Sequence, residues 1–144
     1  MPISVALAKK QYEAIEKEIE ESHNLYHFTI RMRADDRLVG FVRLFWIEWA
    51  NGSGNLQLGS GDPADRRQGY GTEALRLMLR FAFQEVNLYR LSAWVPEYNP
   101  GALRLFEKAG FVTEVRRRQA LNRDGRRWDM LHLGLLREEY QPQG

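Results

Sequence analysis

A glycine-rich, basic stretch between residues 59 and 74 has the composition of a loop that binds phosphate. It reads Gly-Ser-Gly-Asp-Pro-Ala-Asp-Arg-Arg-Gln-Gly-Tyr-Gly-Thr-Glu-Ala, and an amphipathic pattern begins at Thr72. The backbone N–H groups at the start of a helix have no partner within the helix, and together with the helix dipole they attract an anion. Glycine lets the backbone approach that anion without an intervening Cβ. The stretch therefore predicts a phosphate-binding loop that leads into a helix.

Three known patterns of phosphate-binding loop could account for this stretch. A P-loop requires Lys-Ser or Lys-Thr after its second glycine, whereas Thr-Glu follows here, so a P-loop is excluded. The dinucleotide fingerprint Gly-x-Gly-x-x-Ala is present as Gly69, Gly71 and Ala74. However, that fingerprint should follow a strand directly and precede an acidic residue by about 20 positions, and neither condition is met. The third pattern is Arg-x-x-Gly-x-Gly, which Arg66, Gly69 and Gly71 fill.

The composition limits the class of protein. With 144 residues, 44% of them hydrophobic and 28% charged, the chain is expected to form one globular domain, residues 1–144. No apolar run reaches spanning length and no leader pattern is visible, so we expect a cytoplasmic protein that does not contact a membrane. The absence of cysteine excludes disulfides and thiolate sites, and the three histidines lack metal-ligand spacing. A net charge of +2 gives no argument for nucleic acid.

Hydrophobic periodicity predicts a mixed α/β chain that can position the loop. The predicted order is a helix over residues 4–22, a meander of strands over 26–33, 38–49 and 56–62, a helix from 72, a strand over 90–97, a helix from 100 to 109, and a final hairpin of strands 112–121 and 127–136. The strand, helix and strand around the loop form a βαβ unit, which should be parallel and right-handed.

A second motif follows that βαβ unit. Residues 99–111 read Asn-Pro-Gly-Ala-Leu-Arg-Leu-Phe-Glu-Lys-Ala-Gly-Phe. They resemble the segment Asn-x-x-Ala-x-x-x-aromatic-Glu-Lys-x-Gly-Phe of the GNAT superfamily of N-acetyltransferases, whose pyrophosphate loop the Arg-x-x-Gly-x-Gly pattern also resembles. The resemblance covers residues 4–140. Within the superfamily it is strongest to the RimJ/RimL-type branch, which acetylates ribosomal-protein N-termini and polyamines.

This resemblance implies a GNAT fold: a mostly antiparallel twisted sheet with flanking helices, in which the parallel strands 56–62 and 90–97 splay apart. The pantetheine of acetyl-CoA would lie in that wedge, and its amides would pair with the freed strand backbone. The resemblance implies contacts to coenzyme A from Gly59, Gly61, Arg66, Arg67, Gln68, Gly69, Tyr70, Gly71, Thr72, Asn99, Phe106 and Lys108.

The implied reaction is direct attack of a primary amine on the thioester in a ternary complex. The acceptor would be a protein N-terminus, a polyamine or another small amine. Such a reaction needs a base, an oxyanion donor and an acid. We expect the backbone N–H groups near Gly59 and Ser60 to serve the oxyanion. Glu48 is a candidate base beside a water held by Asn99 or Ser60, and Asp62 and Asp129 are less favoured alternatives.

The residue that would protonate the leaving thiolate differs from the family pattern. Many relatives carry a tyrosine where this chain has Phe106, and phenylalanine has no proton to give. Tyr98, Tyr70, a water or bulk solvent could take its place. A non-catalytic or weakly active acyl-CoA-binding protein therefore stays open as the alternative function, and a nucleotide-binding module is a third, more distant one.

The amino-terminal part of the chain also differs from the family pattern. Relatives in this branch begin with a further strand and helix before the segment that matches residue 4 onward. We expect the early strands to leave an exposed edge, which proteins rarely leave bare. We therefore predict a homodimer that covers this edge or the tryptophans Trp46, Trp49, Trp94 and Trp128. A more open pocket would slightly favour an extended acceptor such as a protein N-terminus.

Overall fold

The structure, a computed structural model, describes residues 25–60 and 70–141. Its strands are β1 (Leu25–Arg31), β2 (Leu38–Glu48), β3 (Ser53–Ser60), β4 (Arg90–Pro96), β5 (Val112–Arg123) and β6 (Arg126–Leu136), and its α-helices are α1 (Tyr70–Arg80) and α2 (Pro100–Lys108). A π-helical turn, Phe81–Glu85, extends α1, and a 3-10 turn, Arg137–Glu139, follows β6. The predicted helix at 4–22 and the loop at 61–69 lie outside the described residues.

The strands form one six-stranded sheet in the order β1-β2-β3-β4-β6-β5. Every neighbouring pair is antiparallel except β3 and β4, which are parallel. Helix α1 connects these two strands, because parallel neighbours need a crossover. The predicted mixed α/β fold with a mostly antiparallel sheet is confirmed.

One face of the sheet packs against the helices and forms the core. Leu44, Leu91 and Leu133, from β2, β4 and β6, are fully buried on this face. Helix α1 adds a buried stripe at helical spacing that includes Leu75 and Met78. Each large apolar side chain that leaves water in this way contributes about 1.5–3 kcal/mol. The core therefore fixes α1 on one side of the β3–β4 pair.

The opposite face, called the open face below, carries a different set of side chains. Successive strand residues point to opposite faces, so the neighbours of buried Leu56 and Ala93 belong to the open face. Its members are Phe41, Arg43, Phe45, Asn55, Gln57, Ser92, Trp94 and His132. The described helices belong to the core cluster, so they do not cover this face.

The parallel pair β3–β4 separates part of the way along. Its register covers only Ser53 to Leu56 against Arg90 to Ala93. Beyond that point β3 continues beside β2 as far as Ser60, and β4 continues beside β6 as far as Pro96. The predicted splay is confirmed, and its vertex lies at Leu56 and Ala93.

Helix α1 and the last hairpin differ from their predicted form, and β3 begins at Ser53 rather than at residue 56. Helix α1 changes to π-helical hydrogen bonding at Phe81, where Val86 N donates to Phe81 O at 2.9 Å. The Phe81 ring meets Tyr26 and Phe28 of β1 edge-on at 4.9 and 5.3 Å, a tertiary contact that periodicity does not reveal. The last hairpin is longer than predicted, and β5 is exposed along nearly all of its length because it is an edge strand. No helix in the described ranges is long and apolar enough to span a bilayer.

Candidate active site

The wedge between β3 and β4 offers backbone hydrogen-bonding groups to a ligand. Along a strand, successive residues alternate between hydrogen-bonding to one neighbour and facing the other edge. Between Gln57 and Ser60 only β2 pairs with β3, so within the described residues every second backbone position faces the wedge. Of Gly59 and Ser60, one therefore directs its N–H toward β2 and the other toward the wedge. Backbone groups rarely stay unpaired, so the wedge suits an extended ligand that carries amides.

Gly59 has a packing role beside its predicted ligand role. It lies opposite Phe41 on β2, and a Cβ at Gly59 would collide with the Phe41 ring. That ring also stacks on His27 at 5.4 Å and lies under the Arg43 guanidinium at 5.1 Å. The glycine is thus required for aromatic packing on the open face, close to the mouth of the wedge.

The start of α1 is packed tightly against α2. Tyr70 is buried in the core, whereas Thr72 is exposed. A Cβ on Gly71 would lie 3.3 Å from Leu105 Cδ2 of α2. A large side chain at Gly71 would therefore separate the two helices as well as obstruct the predicted loop.

A cavity of about 400 Å³ lies between the two helices and residues 139–141. It brings together Thr72 and Lys108, two of the residues predicted to bind coenzyme A. Arg76, one turn after Thr72, lines the same cavity and was missed by the sequence analysis. The spacing of four residues from Thr72 was the signal that could have found it. The cavity combines the cationic side chains of Arg76 and Lys108 with the Thr72 hydroxyl, which suits phosphate groups, and Glu139 adds one carboxylate to its lining.

Tyr98 and Asn99 follow the carboxyl end of β4, the end at which β4 is separated from β3. The Asn99 Oδ1 accepts a hydrogen bond from Ala102 N at 3.2 Å and so caps α2. Its Nδ2 group makes no part of that cap and could still donate to a ligand. Tyr98 meets Trp128 edge-on at 5.7 Å, and the Arg123 guanidinium lies 4.4 Å from the Tyr98 ring centroid.

Phe106 belongs to the core. It is 4% exposed and meets the Phe111 ring at 5.1 Å and 75°. This contact fits the position of both residues at the end of α2, where the chain turns back toward the sheet.

Glu48 lies far from the other predicted catalytic residues. It is opposite Ser53, whereas Ser60 is opposite Gly40 at the other end of β3. Seven residues of strand correspond to about 23 Å at roughly 3.3 Å per residue. Glu48 instead accepts a hydrogen bond from Asn51 Nδ2 at 2.8 Å in the β2–β3 turn. The structure does not bring Glu48 together with Ser60 and Asn99, so Glu48 has no role in the proposed reaction.

Asp129 is engaged in an ion-pair network with Arg116 and Glu97, in line with the salt bridge expected for a carboxylate on a strand. Arg116 Nη1 donates to Asp129 Oδ2 at 2.5 Å and to Glu97 Oε2 at 3.3 Å. Asp129 Oδ1 accepts from Gln119 N at 2.8 Å, and Glu97 Oε1 accepts from Asp129 N at 2.9 Å. The hydrogen bond from Gln119 N and that from Arg116 lower the pKa of Asp129, and the same contact with Asp129 raises the pKa of Arg116. These bonds fix Asp129 as an ionised structural group.

The other predicted residues have no described side chain. Gly61, Arg66, Arg67, Gln68, Gly69 and Asp62 lie in residues 61–69, outside the described ranges, and of Ser60 only the backbone is described. Among the described residues, no group of three or more His, Asp or Glu side chains could hold a metal ion.

Comparison with known proteins identifies the family. The model of the acetyltransferase (GNAT) domain family matches residues 1–112. A protein named as a probable N-acetyltransferase, YjcK of Bacillus subtilis, is 42% identical over 106 residues, which cover 71% of this chain and 54% of that protein. The chain therefore belongs to the acetyltransferase (GNAT) domain family. Its match spans about half the length of YjcK.

Two further comparisons involve spermidine acetyltransferases. The spermidine N(1)-acetyltransferase of Vibrio cholerae is 27% identical over 138 residues, which cover 92% of this chain and 79% of that protein. The crystal structure of spermidine N-acetyltransferase from Vibrio cholerae in complex with CoA and spermine superimposes with a TM-score of 0.77 at 24% identity, covering 89% of this chain and 75% of that chain. This structural likeness confirms the GNAT fold.

Proposed function

We propose that the protein is an acetyl-CoA-dependent N-acetyltransferase that acts on a primary amine. The observation that carries the proposal is the separation of β3 from β4 beyond Leu56 and Ala93, in a chain of this family. The wedge offers unpaired strand backbone to pantetheine, and the start of α1 lies beside it. The predicted loop residues Gly61, Arg66, Arg67, Gln68 and Gly69 would bind the pyrophosphate together with the N–H groups of Gly71 and Thr72.

The reaction replaces the C–S bond of the thioester with a C–N bond and moves one proton, in net terms, from nitrogen to sulfur. The nitrogen of a neutral amine attacks the thioester carbonyl, so a C–N bond forms and an oxyanion develops. Whichever N–H of Gly59 and Ser60 faces the wedge stabilises that oxyanion. The C–S bond then breaks, and the proton lost by the amine nitrogen is balanced by the one that coenzyme A gains as its free thiol. Asn99 Nδ2 holds a water near the amine.

Tyr98 is the proton donor that we propose for the thiolate. Phe106 has no acidic proton, and Tyr70 is buried in the core. Tyr98 lies directly before Asn99, on the segment that follows the carboxyl end of β4, and its ring contacts Trp128 and Arg123 of the last hairpin. The absence of a tyrosine at 106 also favours a second candidate function, an acyl-CoA-binding protein with little turnover.

The acceptor is proposed to be a polyamine or a related small amine. The names of the relatives from Vibrio cholerae support this class of acceptor, and the exposed open face leaves room for an extended amine. A protein N-terminus, the other acceptor that the resemblance to the RimJ/RimL-type branch implies, is the alternative. A cytoplasmic location and a homodimer are also part of the proposal.

Calorimetric titration of acetyl-CoA tests the cofactor site. We expect wild type to bind with a Kd on the order of micromolar, and Arg66→Glu to bind at least about tenfold more weakly, because a charge-assisted hydrogen bond contributes about 1.5–3 kcal/mol. Arg80→Glu is the matched control, since Arg80 is exposed at the far end of α1. Thiol release with spermidine and other amines then tests turnover. Wild type that does not bind acetyl-CoA would overturn the proposed function, and binding without turnover would favour the acyl-CoA-binding alternative.

A further inference from the structure

Two tryptophans meet on the open face. Trp46 of β2 is 59% exposed and Trp94 of β4 is 44% exposed, yet their ring centroids are only 5.8 Å apart, at 65°. Since β3 lies between β2 and β4 in the sheet, the two rings must meet above β3. We call Trp46 and Trp94 the Trp pair.

The Trp pair lies at the vertex of the wedge. Trp94 is the first residue of β4 after Ala93, the last residue that pairs with β3. Its neighbours Ala93 and Val95 are buried on the core face, so Trp94 projects from the opposite face. The pair is therefore reached from the side of the sheet away from α1 and α2, where the wedge begins.

The surroundings hold both rings in place. Trp94 stacks on His132 of β6 at 4.8 Å and 12°. Trp46 has φ of 47° within the β2 bulge, a left-handed conformation that is rare for a bulky residue and persists only when its surroundings impose it. Phe45 meets the Trp46 ring edge-on at 5.2 Å. A strained bulge that turns a large apolar ring toward solvent is not explained by core packing.

The chemistry of the pair suits a cation. The face of an indole ring is electron-rich and attracts ammonium groups within about 6 Å. Below Trp94, the Nε2 atom of His132 is buried and has no hydrogen-bond partner among the described residues, so a polar ligand or water is expected there. The nearby cations are engaged elsewhere: Arg90 pairs with Glu114, and Arg43 lies over Phe41.

We propose that the Trp pair binds the acceptor of the reaction, specifically a second ammonium group of a polyamine whose reacting amine lies further along the wedge, beside Gly59 and Ser60. This inference rests on the proposed acetyltransferase function and adds the residues that select the acceptor. Trp46 and Trp94 are then specificity-determining residues, since they contact the acceptor at a distance from the nitrogen that reacts.

Steady-state kinetics with two acceptors test this assignment. Spermidine carries additional ammonium groups, whereas butylamine has a similar reactive end and no second cation. For Trp46→Leu and Trp94→Leu we expect the KM for spermidine to rise about 3- to 30-fold, as the strength of cation–π contacts implies. The kcat/KM for butylamine and the KM for acetyl-CoA should change little. Trp94→Phe should retain most of the spermidine affinity. Trp49→Leu is the matched control, because Trp49 is 49% exposed in the turn that follows β2.

The possible outcomes test the cation site at the Trp pair separately from the proposed acetyltransferase function. Equal losses for spermidine and butylamine would overturn the cation site and indicate apolar recognition. An unchanged KM for spermidine in both leucine variants, with acetyl-CoA bound and turned over, would overturn the inference alone. If wild type turned over no amine, the proposed function would fail, and spermidine quenching of tryptophan fluorescence would then test the pair by itself. Quenching that is lost in Trp94→Leu supports the site, and its absence in wild type overturns it.

Discussion

At the scale of single residues, position 106 decides how the thiolate can be protonated. The Phe106 ring is buried against Phe111, so this position is occupied by a packing residue of the core. A tyrosine there would have to place its hydroxyl either in the core or toward the wedge. A hydroxyl in the core would lower the stability of the fold, whereas a hydroxyl that reaches the wedge would raise the rate of acetyl transfer.

Phe106→Tyr should lower the free energy of unfolding by about 1–3 kcal/mol without increasing turnover, because a buried hydroxyl without a partner loses its hydration. Chemical denaturation and thiol-release kinetics measure the two effects. Phe83→Tyr, at another buried phenylalanine, gives the cost of a buried hydroxyl away from the wedge. An increase in kcat by orders of magnitude in Phe106→Tyr would instead show that this position reaches the thioester and that the natural chain is catalytically impaired.

At the scale of elements, the Arg116–Asp129–Glu97 network ties the carboxyl end of β4 to the last hairpin. Glu97 follows β4, Asp129 belongs to β6 and Arg116 belongs to β5. Glu97 N also donates to Asp129 O at 3.0 Å. These bonds hold the end of β4 beside β6, on the side away from β3. The network thereby supports the separation of β3 and β4 that defines the wedge.

Asp129→Asn should be less stable than wild type at pH 7, and the difference should shrink in acid. The pKa of Asp129 is lowered from its ordinary value of 3.8 by the bonds from Gln119 N and Arg116. Ionised Asp129 therefore stabilises the fold above that value, and this contribution is lost as the pH falls through the lowered pKa. Urea denaturation at pH 7 and near pH 3 measures the effect.

Asp124→Asn is the control for this comparison, because Asp124 lies on the same hairpin and its side chain is 92% exposed. Its stability should follow wild type at both values of pH. A constant difference between Asp129→Asn and wild type across this range would contradict an ionised, hydrogen-bonded Asp129.

At the scale of the whole molecule, the described sheet has two edges, β1 and β5. The edge strand β5 carries Arg116, Arg117 and Arg118 in succession, and charged side chains are a common protection against edge-to-edge pairing. β1 has Tyr26, Phe28 and Ile30 at alternate positions and fewer charges. If copies of the chain associate through a sheet edge, β1 is the better candidate.

We expect light scattering to give a dimer mass at micromolar concentration, with pairing through β1. Trp46→Lys should leave this mass unchanged, because Trp46 lies on the open face and not on the β1 edge. A monomer mass for wild type would contradict the proposed dimer. A dimer that dissociates only in Trp46→Lys would place the Trp pair in a subunit interface and would count against its role in binding the acceptor.

The sequence by itself determined the family, the order of the elements that the structure describes, and the wedge. Local periodicity was sufficient for β1, β2, α1 and β4, because a buried face imposes a repeat that is readable in short stretches. The segment at 99–111 implied the splay that the β3–β4 register confirms. The contacts of the loop at 61–69 stay predictions, since those residues are not described.

The tertiary structure alone decided which side chains meet. Glu48 and Ser60 belong to consecutive strands, but antiparallel pairing places Glu48, the last residue of β2, beside the start of β3, whereas Ser60 is at the other end of β3. Trp46 reaches Trp94 only because a bulge in β2 rotates it across β3, and no local pattern specifies that bulge. The ion-pair network likewise joins three segments that are distant in the sequence. Contacts between side chains that are distant in the sequence depend on strand register and sheet order. Long-range packing determines both, and short-range propensity does not.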